Sequence, residues 1–325
     1  MKGLTSSARL IVSKLWGWLP SVVDQRVRVI AWLTLIIQVV VVGTGGAVRL
    51  TGSGLGCPTW PRCTVDSVVS TPELGIHGII EFANRLLTFV IALIAVVAFL
   101  YVVRLRRRRR DLFALSIAIG AGIPAQAVLG GITVLTGLDP WLVGAHFLLS
   151  VIIVTLSTVF VVRAYYGAAS HRRSTPQWFA LIGYVAAALV AASVVLGIVT
   201  TGSGPHAGDI KTPRNGLNSE TMQQLHSYPA YLLLAVTVLL LLVARRQNFQ
   251  PVRRYLGALL LVEITQIVVG IAQARLGLPI ALVNIHLVLA CLLVTAMTTV
   301  ILSLSLTPLR PPARRVQSQL AGALR

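Results

Sequence analysis

Eight apolar runs of about 20 residues constrain this chain more than any other feature. A helix of about 20 residues crosses the ~30 Å hydrocarbon core of a bilayer at a rise of about 1.5 Å per residue. With 56% apolar and 11% charged residues, the composition lies outside that of ordinary soluble domains. The sequence therefore predicts an all-α polytopic membrane protein in the lipid bilayer, with transmembrane helices at 28–50, 77–103, 112–134, 141–163, 178–200, 221–244, 255–275 and 280–305.

The net charge of +19 is distributed as a membrane topology requires, and this distribution argues against a nucleic-acid partner. Most Lys and Arg residues lie at the termini and in alternate connections, and cytoplasmic segments of membrane proteins carry such an excess. We therefore expect a multi-pass protein of the cell membrane with both termini cytoplasmic. The N-terminus covers 1–27, and the tail 306–325 is expected to be disordered.

An internal repeat divides the chain into two similar halves. Residues 126–150 recur as 266–290, and both long outer loops open with the residues Thr-Gly-Ser-Gly. The two copies share several identities, among them Gln126/Gln266, Gly130/Gly270 and His146/His286.

The repeat predicts the architecture. Each half starts on the same side of the membrane and has an even number of spans, so the halves are parallel repeats. We expect two four-helix bundles, at 28–163 and 178–305, joined by a cytoplasmic linker at 164–177.

Histidines inside the predicted spans are the first candidates for function. An ionisable side chain within a membrane span is costly to place and is by default a functional hypothesis. Two histidines, His171 and His206, lie in loops. The other four lie at similar depth, each in the first third of an even-numbered span: His77, His146, His226 and His286.

Two imidazoles from facing helices of a bundle suit a planar macrocycle with axial ligands, so haem is the favoured cofactor. Alignment of the second span with the sixth places Glu81 opposite Gln223 and Asn84 opposite His226. The second half thus offers a complete histidine pair, whereas the first half offers His146. We expect one half to hold a cofactor permanently and the other to hold a molecule that reacts.

Glu81 is the carboxylate well inside the first half, and burial there makes it a candidate proton acceptor or donor. An ion pair with Arg85, four residues later, is the alternative, and the two roles can coexist. Glu263, in the seventh span, is a weaker candidate. Arg49, Arg85 and Arg275 lie near outer ends of spans, where they could bind haem propionates.

Cys57 and Cys63 lie in the first outer loop, where the compartment permits a disulfide. Such a bond could be a structural staple or a redox-active pair that delivers electrons to the site below. Cys291, alone within a span, is expected to be a buried apolar residue.

Taken together, these residues resemble the haem A synthase family, membrane enzymes of cytochrome oxidase biogenesis. The resemblance rests on eight spans in two repeats, the cysteine pair, histidines on even spans and the motif Glu81-x-x-Asn84-Arg85. It implies a haem b ligated by His226 and His286. It also implies that the N-terminal half oxidises the C8 methyl of haem O to a formyl group by successive hydroxylations.

One departure from the family pattern concerns the substrate site. Many members have Glu-x-x-His-Arg, whereas this chain has Asn84, so only His146 corresponds to a substrate ligand. Either one axial histidine holds the substrate iron, or His77 supplies a second contact. The implied catalytic group is Glu81, as a proton carrier.

The resemblance implies a haem O synthase as the source of substrate, the cytochrome oxidase assembly machinery as recipient and an electron donor that the sequence does not identify. Two other functions stay open. A di-haem electron-transfer cytochrome would carry two equivalent resident haems, and a parallel-repeat transporter would bind its substrate near the bilayer midplane.

Overall fold

The computed structural model describes residues 14, 16–166, 175–205 and 212–305. Outside this part of the chain lie most of the predicted N-terminus, most of the linker 164–177, the tail 306–325, His171 and His206. The described residues contain no strand and eight helices long and apolar enough to cross a membrane, which confirms the predicted fold class. The helices are α1 (Gln25–Leu50), α2 (Gly75–Val103, after a 3₁₀ turn at Pro72–Leu74), α3 (Arg110–Leu135), α4 (Pro140–Tyr166), α5 (Gln177–Ser203), α6 (Ser219–Arg246), α7 (Val252–Arg275) and α8 (Ile280–Ser303).

The helix boundaries follow local capping chemistry. Asp24 caps α1 by accepting from the Val27 amide, and Asn218 caps α6 by accepting from the Thr221 amide at 2.9 Å. Such caps satisfy amides that have no partner within the helix. Asp139 does the same for α4, since its carboxylate accepts from the Trp141 and Leu142 amides at 2.9 and 3.1 Å.

The two tight turns of the repeat have the same backbone. Gly137 and Leu138 end α3 at φ values of 65° and 63°, and Gly277 and Leu278 end α7 at 73° and 62°. In each turn the leucine amide donates at 2.8 Å to a carbonyl five residues earlier. This is the Schellman arrangement, in which glycine accepts the left-handed conformation without strain. The sequence repeat is therefore also a structural one at these turns.

Each half is a closed ring of four helices. In the first half, α1 contacts α2, α2 contacts α3, α3 contacts α4 and α4 returns to α1; α5 to α8 repeat this order. The halves meet where α8 packs on α1 and α4, and where α4 packs on α5. This pattern is consistent with the predicted pair of parallel four-helix bundles.

The apolar cores lie toward one end of both rings, the end at which α1, α3, α5 and α7 begin, here called the inner end. Phe160 and Leu112 are fully buried in the first half, as are Phe179 and Leu256 in the second. Cys291 is also fully buried in the core of the first half. The opposite end, here called the outer end, is less closely packed and contains the candidate site.

Candidate functional site

A cavity of about 1170 Å³ opens between the helices at the outer end and is lined by residues of both halves. Sites for one drug-sized ligand measure roughly 300–1,000 Å³, so this cavity is larger than a typical site of that kind. It is lined by nine of the candidate residues from the sequence, namely Arg49, Glu81, Asn84, Arg85, His146, His226, Glu263, Arg275 and His286. The structure thus brings both predicted sites into one continuous space.

His226 of α6 and His286 of α8 face each other across the second half. Their ring centres are 6.2 Å apart and their ring planes are inclined at 79°. Two imidazoles bound to one metal need nitrogen atoms about 4 Å apart, because each metal–nitrogen bond is about 2 Å. Adding about 1 Å from each nitrogen to its ring centre gives a separation of about 6 Å for axial ligands of one metal. The observed separation matches that requirement.

Glycines on the neighbouring helices make room for the histidine rings. A Cβ atom at Gly197 would lie 3.0 Å from Cε1 of His226, and one at Gly270 would lie 3.2 Å from Cε1 of His286. A contact of that length forces the neighbour to move. The repeat identity of Gly270 with its counterpart in the first half is therefore a steric requirement of the site.

The first half repeats this construction with one difference. A Cβ at Gly130 would lie 3.2 Å from Cε1 of His146, as in the second half. Where the second half has Gly197 beside His226, the first half has Gly45 of α1 beside Asn84. A Cβ atom at Gly45 would lie 4.0 Å from the amide nitrogen of Asn84. Thr44 donates to Oδ1 of Asn84 at 2.7 Å and holds the amide in place. Asn84 and His226 thus each lie beside a glycine of a neighbouring helix, as expected if the two positions are equivalent in the repeat.

The repeated glutamines fix the backbone that carries two of the histidines. Nε2 of Gln126 donates to the His146 carbonyl, and Nε2 of Gln266 donates to the His286 carbonyl, both at 3.2 Å. Gln126 also donates to Ser150 at 2.6 Å, whereas Gln266 lies 3.3 Å from Nε2 of His286. These contacts lock the two histidine-bearing helices to their partners in matching registers.

Glu81 joins α2 to the disulfide loop. Its Oε2 accepts from the Cys57 amide at 2.7 Å, and its Oε1 accepts from Nε of Arg85 at 3.0 Å. Arg85 in turn donates to the carbonyls of Cys57, Thr59 and Arg62 at 3.1 to 3.3 Å. The predicted ion pair is present. Because the Arg85 guanidinium already binds these partners, Arg49 and Arg275 are better candidates than Arg85 for binding haem propionates.

Residues 57–63 form a short loop beside the first half of the cavity. Cys57 and Cys63 are joined by a disulfide with their Cα atoms 4.4 Å apart, and both are fully buried. Within this loop, Trp60 packs on Gly131 of α3, and Trp60 and Pro61 line the cavity. The loop therefore forms part of the wall of the site, a role that the spacing of the cysteines did not indicate.

His77 is set apart from the other three span histidines. It is exposed in the first turn of α2, and its Nδ1 lies 2.9 Å from the Ser53 hydroxyl. It does not line the cavity, and the loop backbone at Gly56 packs against its carbonyl group. The structure therefore does not place His77 where a second ligand in the first half would be required.

Arg49 and Arg275 remain as cations at the outer end. Arg49 is partly buried, with Nη2 3.5 Å from the Thr201 carbonyl and Nε without a hydrogen-bond partner. Arg275 lies in the last turn of α7 and is exposed along the cavity wall. Guanidinium groups bind carboxylates in a bidentate manner, so both residues suit an anionic ligand.

Several buried polar atoms facing the cavity have no hydrogen-bond partner within the described chain. They include Nδ1 of His146, His226 and His286 and the side-chain oxygens of Gln126 and Gln266. Buried polar atoms are normally satisfied, so these mark a site built for a ligand. With the axial spacing and the glycine clearances, the residues fit a haem in the second half.

Sequence reasoning did not find every residue of the site. Trp60 and Thr44 were missed, because nothing in a single sequence shows that a loop tryptophan faces a cavity or that a helix threonine holds an amide on another helix. Gly130 and Gly270 were evident as repeat identities four residues after a glutamine, but the sequence did not show that they contact the histidines.

Comparison with known proteins identifies the family. Residues 28–298 match the model of the COX15-CtaA family, described as cytochrome oxidase assembly protein. A protein of Listeria welshimeri named Heme A synthase is 34% identical over 126 residues, which cover 37% of this chain and 39% of that protein. Proteins of the same name from Bacillus mycoides and Alkalihalophilus pseudofirmus are 33% identical over 133 residues and 26% identical over 148 residues.

These alignments cover 38% of this chain and 41% of the Bacillus protein, and 45% and 49% for the Alkalihalophilus pair. The chain thus matches less than half the length of these curated relatives, while the family model covers most of the chain. Both results agree with the resemblance found from the residues alone. The chain belongs to the COX15-CtaA family of cytochrome oxidase assembly proteins.

Proposed function

We propose that this protein is a haem A synthase, which oxidises the C8 methyl group of haem O to a formyl group by successive hydroxylations. The observation that carries the proposal is the asymmetry of the cavity. The second half presents two histidine rings at axial spacing, and the first half presents His146 with Asn84 at the matching position. Related proteins that carry the name Heme A synthase support the same activity.

In the second half, His226 and His286 would hold a resident haem b. When bound, this haem supplies one-electron transfer. Gln266 fixes the backbone of α8 at His286, and Gly197 and Gly270 leave the space that the rings require. Arg49 and Arg275 would bind the propionates at the outer end.

In the first half, His146 would hold the iron of the substrate haem O. Asn84 cannot act as a second imidazole, and Thr44 keeps its Oδ1 engaged at 2.7 Å. The substrate iron would therefore have one protein ligand and one open side. A haem held by one protein ligand would dissociate more readily than a haem held by two, as a substrate that leaves as product requires.

Glu81 would be the acid–base group of the first half. It lines the cavity and is 5% exposed, so a proton on it is shielded from bulk solvent. Arg85 and the Cys57 amide orient both of its oxygens, so its geometry is fixed before the substrate arrives. The disulfide of Cys57 and Cys63 would either hold this arrangement together or carry electrons to it.

A protein with this function would lie in the cell membrane with both termini and the linker 164–177 in the cytoplasm. It would take haem O from a haem O synthase and pass haem A to the cytochrome oxidase assembly machinery. The positive charge near the inner end, in the 106–110 run, supports this orientation.

The test is pigment analysis of the full chain co-expressed with a haem O synthase in a host that makes no haem A. Purified protein should contain haem b together with haem O or haem A, and membranes should accumulate haem A. The Glu81→Gln variant should retain haem b and lose haem A production.

Two results would contradict the proposal. Two equivalent haem b groups per chain, without haem A in the membranes, would favour the electron-transfer cytochrome. Absence of any bound haem would favour the parallel-repeat transporter. Undiminished haem A production by the Glu81→Gln variant would remove the acid–base role of Glu81 alone.

A further inference from the structure

Glu263 of α7 is a second buried carboxyl group in the cavity wall. Its side chain is among the least accessible polar groups of the protein, at 3% exposure. Its Oε1 accepts from the Thr237 hydroxyl of α6 at 2.7 Å, and its Oε2 has no hydrogen-bond partner in the described structure. Among the α7 residues that line the cavity, it lies farthest from the outer end.

The two buried carboxyl groups of the cavity differ in how their charge is balanced. Glu81 has a guanidinium and a backbone amide as donors, which can compensate a carboxylate. Glu263 has one hydroxyl donor and, among the described residues, no ion pair. A buried carboxylate is stable only while positive charge nearby compensates it, and such a group takes up a proton when that charge is lost. Its protonation should therefore respond to any charge that enters the cavity nearby.

Few other titratable or charged groups lie near Glu263. Helix α7 packs against α6 and α8. The titratable or charged groups that these helices and α7 itself place in or behind the cavity wall are Glu220, His226, Tyr231, Arg275, His286 and Cys291. His226 and His286 are the proposed axial ligands, and Glu220 and Arg275 lie at the outer ends of their helices.

Glu263 is also close to the proposed haem b site along its own helix. Gln266, one turn further along α7, contacts the backbone and ring of His286. Three residues of helix correspond to a rise of about 4.5 Å. Glu263 thus lies about one helical turn from a residue that contacts a proposed haem ligand, and charges interact more strongly in a membrane interior than in water because the effective dielectric constant is lower.

We propose that Glu263 is a proton-binding site coupled to electron occupancy of the second half of the cavity. The proposal rests on the proposed resident haem b. When one electron from an external one-electron donor enters this half, the Glu263 carboxylate takes up one proton from solvent. When the electron leaves, the carboxyl group releases that proton, so the net charge of the cavity stays the same.

The experiment is a spectroelectrochemical titration of the resident haem in the purified full chain, repeated from mildly acidic to alkaline pH. In the wild type, the midpoint potential should fall with rising pH over part of the range, by up to about 59 mV per pH unit for one proton per electron. The sign follows because the reduced state holds the additional proton. In the Glu263→Gln variant, this slope should disappear.

Two further variants control the result. Asp111→Asn removes a carboxylate at the inner end of α3, where it pairs with Arg109, and should keep the wild-type slope. Thr237→Val keeps the carboxyl group but removes its hydrogen bond. It should retain a slope and shift the carboxyl band in the infrared difference spectrum between reduced and oxidised protein.

The infrared measurement makes the test independent of whether Glu263→Gln binds haem. A carboxyl band that appears on reduction of the wild type and moves in Thr237→Val supports the proposal. A pH-independent potential in wild-type protein that contains haem b overturns the proton coupling and leaves the proposed function intact. Protein without haem b overturns both.

Discussion

Replacing Arg85 with methionine removes the cation that ties the 57–63 loop to α2. Arg85 donates to Glu81 and to the carbonyls of Cys57, Thr59 and Arg62. Methionine preserves much of the side-chain length but provides no donor. We therefore expect the loop to separate from α2 more often while the disulfide stays intact.

The size of the effect follows from the burial of the pair. Removing one partner of a buried ion pair costs about 3–5 kcal/mol. The Glu81 side chain is 7% exposed and that of Arg85 is 22% exposed, so we take the lower value of about 3 kcal/mol. Since each 1.4 kcal/mol corresponds to a factor of about ten, loop opening should become about a hundredfold more frequent.

Hydrogen exchange followed by mass spectrometry measures this opening. The amide of Cys57 is the probe, because it donates to Glu81 at 2.7 Å and is protected only while the loop is closed. Arg62→Gln is the matched control: it removes an arginine of the same loop whose exposed side chain contacts the Val65 carbonyl at 3.2 Å. Exchange in the Arg85→Met variant within about threefold of the wild type would refute the tether, since it would correspond to well under 1 kcal/mol.

Three further predictions concern the haem sites. Gly270→Ala should weaken haem b binding by about 1–3 kcal/mol, because the new Cβ would lie 3.2 Å from His286, whereas Gly257→Ala adds a Cβ in open space and should leave haem content unchanged. His286→Ala should abolish the low-spin absorption spectrum of the resident haem, and a low-spin spectrum in that variant would exclude this residue as a ligand. Asn84→His restores the histidine of the family pattern, so it should add a low-spin signal from bound haem O in the absorption spectrum while haem A is still produced; an unchanged spectrum would show that residue 84 does not face the substrate iron.

The sequence predicted the fold because the relevant constraints are local or repeated. Span length follows from bilayer thickness, and the turns at Gly137 and Gly277 require a residue that accepts positive φ. The alignment of Asn84 with His226 also came from the repeat, since residues at equivalent positions of two bundles occupy equivalent places. These predictions needed no knowledge of which helix packs against which.

The contacts between distant segments could not be predicted in this way. The sequence did not show that the loop of Trp60 lines the cavity, that His77 faces Ser53 or that Thr237 donates to Glu263. Each contact joins different helices, or a helix and a loop, and depends on the rotation of one segment relative to the other. A hydrophobic pattern in a membrane helix specifies that rotation weakly, because the lipid-facing and core-facing sides are both apolar.

The sequence by itself thus predicted eight helices apolar enough to cross a membrane, two similar halves, and a site that includes three histidines, one asparagine and Glu81. The tertiary structure decided that both halves share one cavity and that Arg85 binds Glu81 and the disulfide loop. It also decided that Glu263 has no compensating cation in the described protein. Burial and charge balance are set by everything that packs around a residue, and only the assembled helices specify those neighbours.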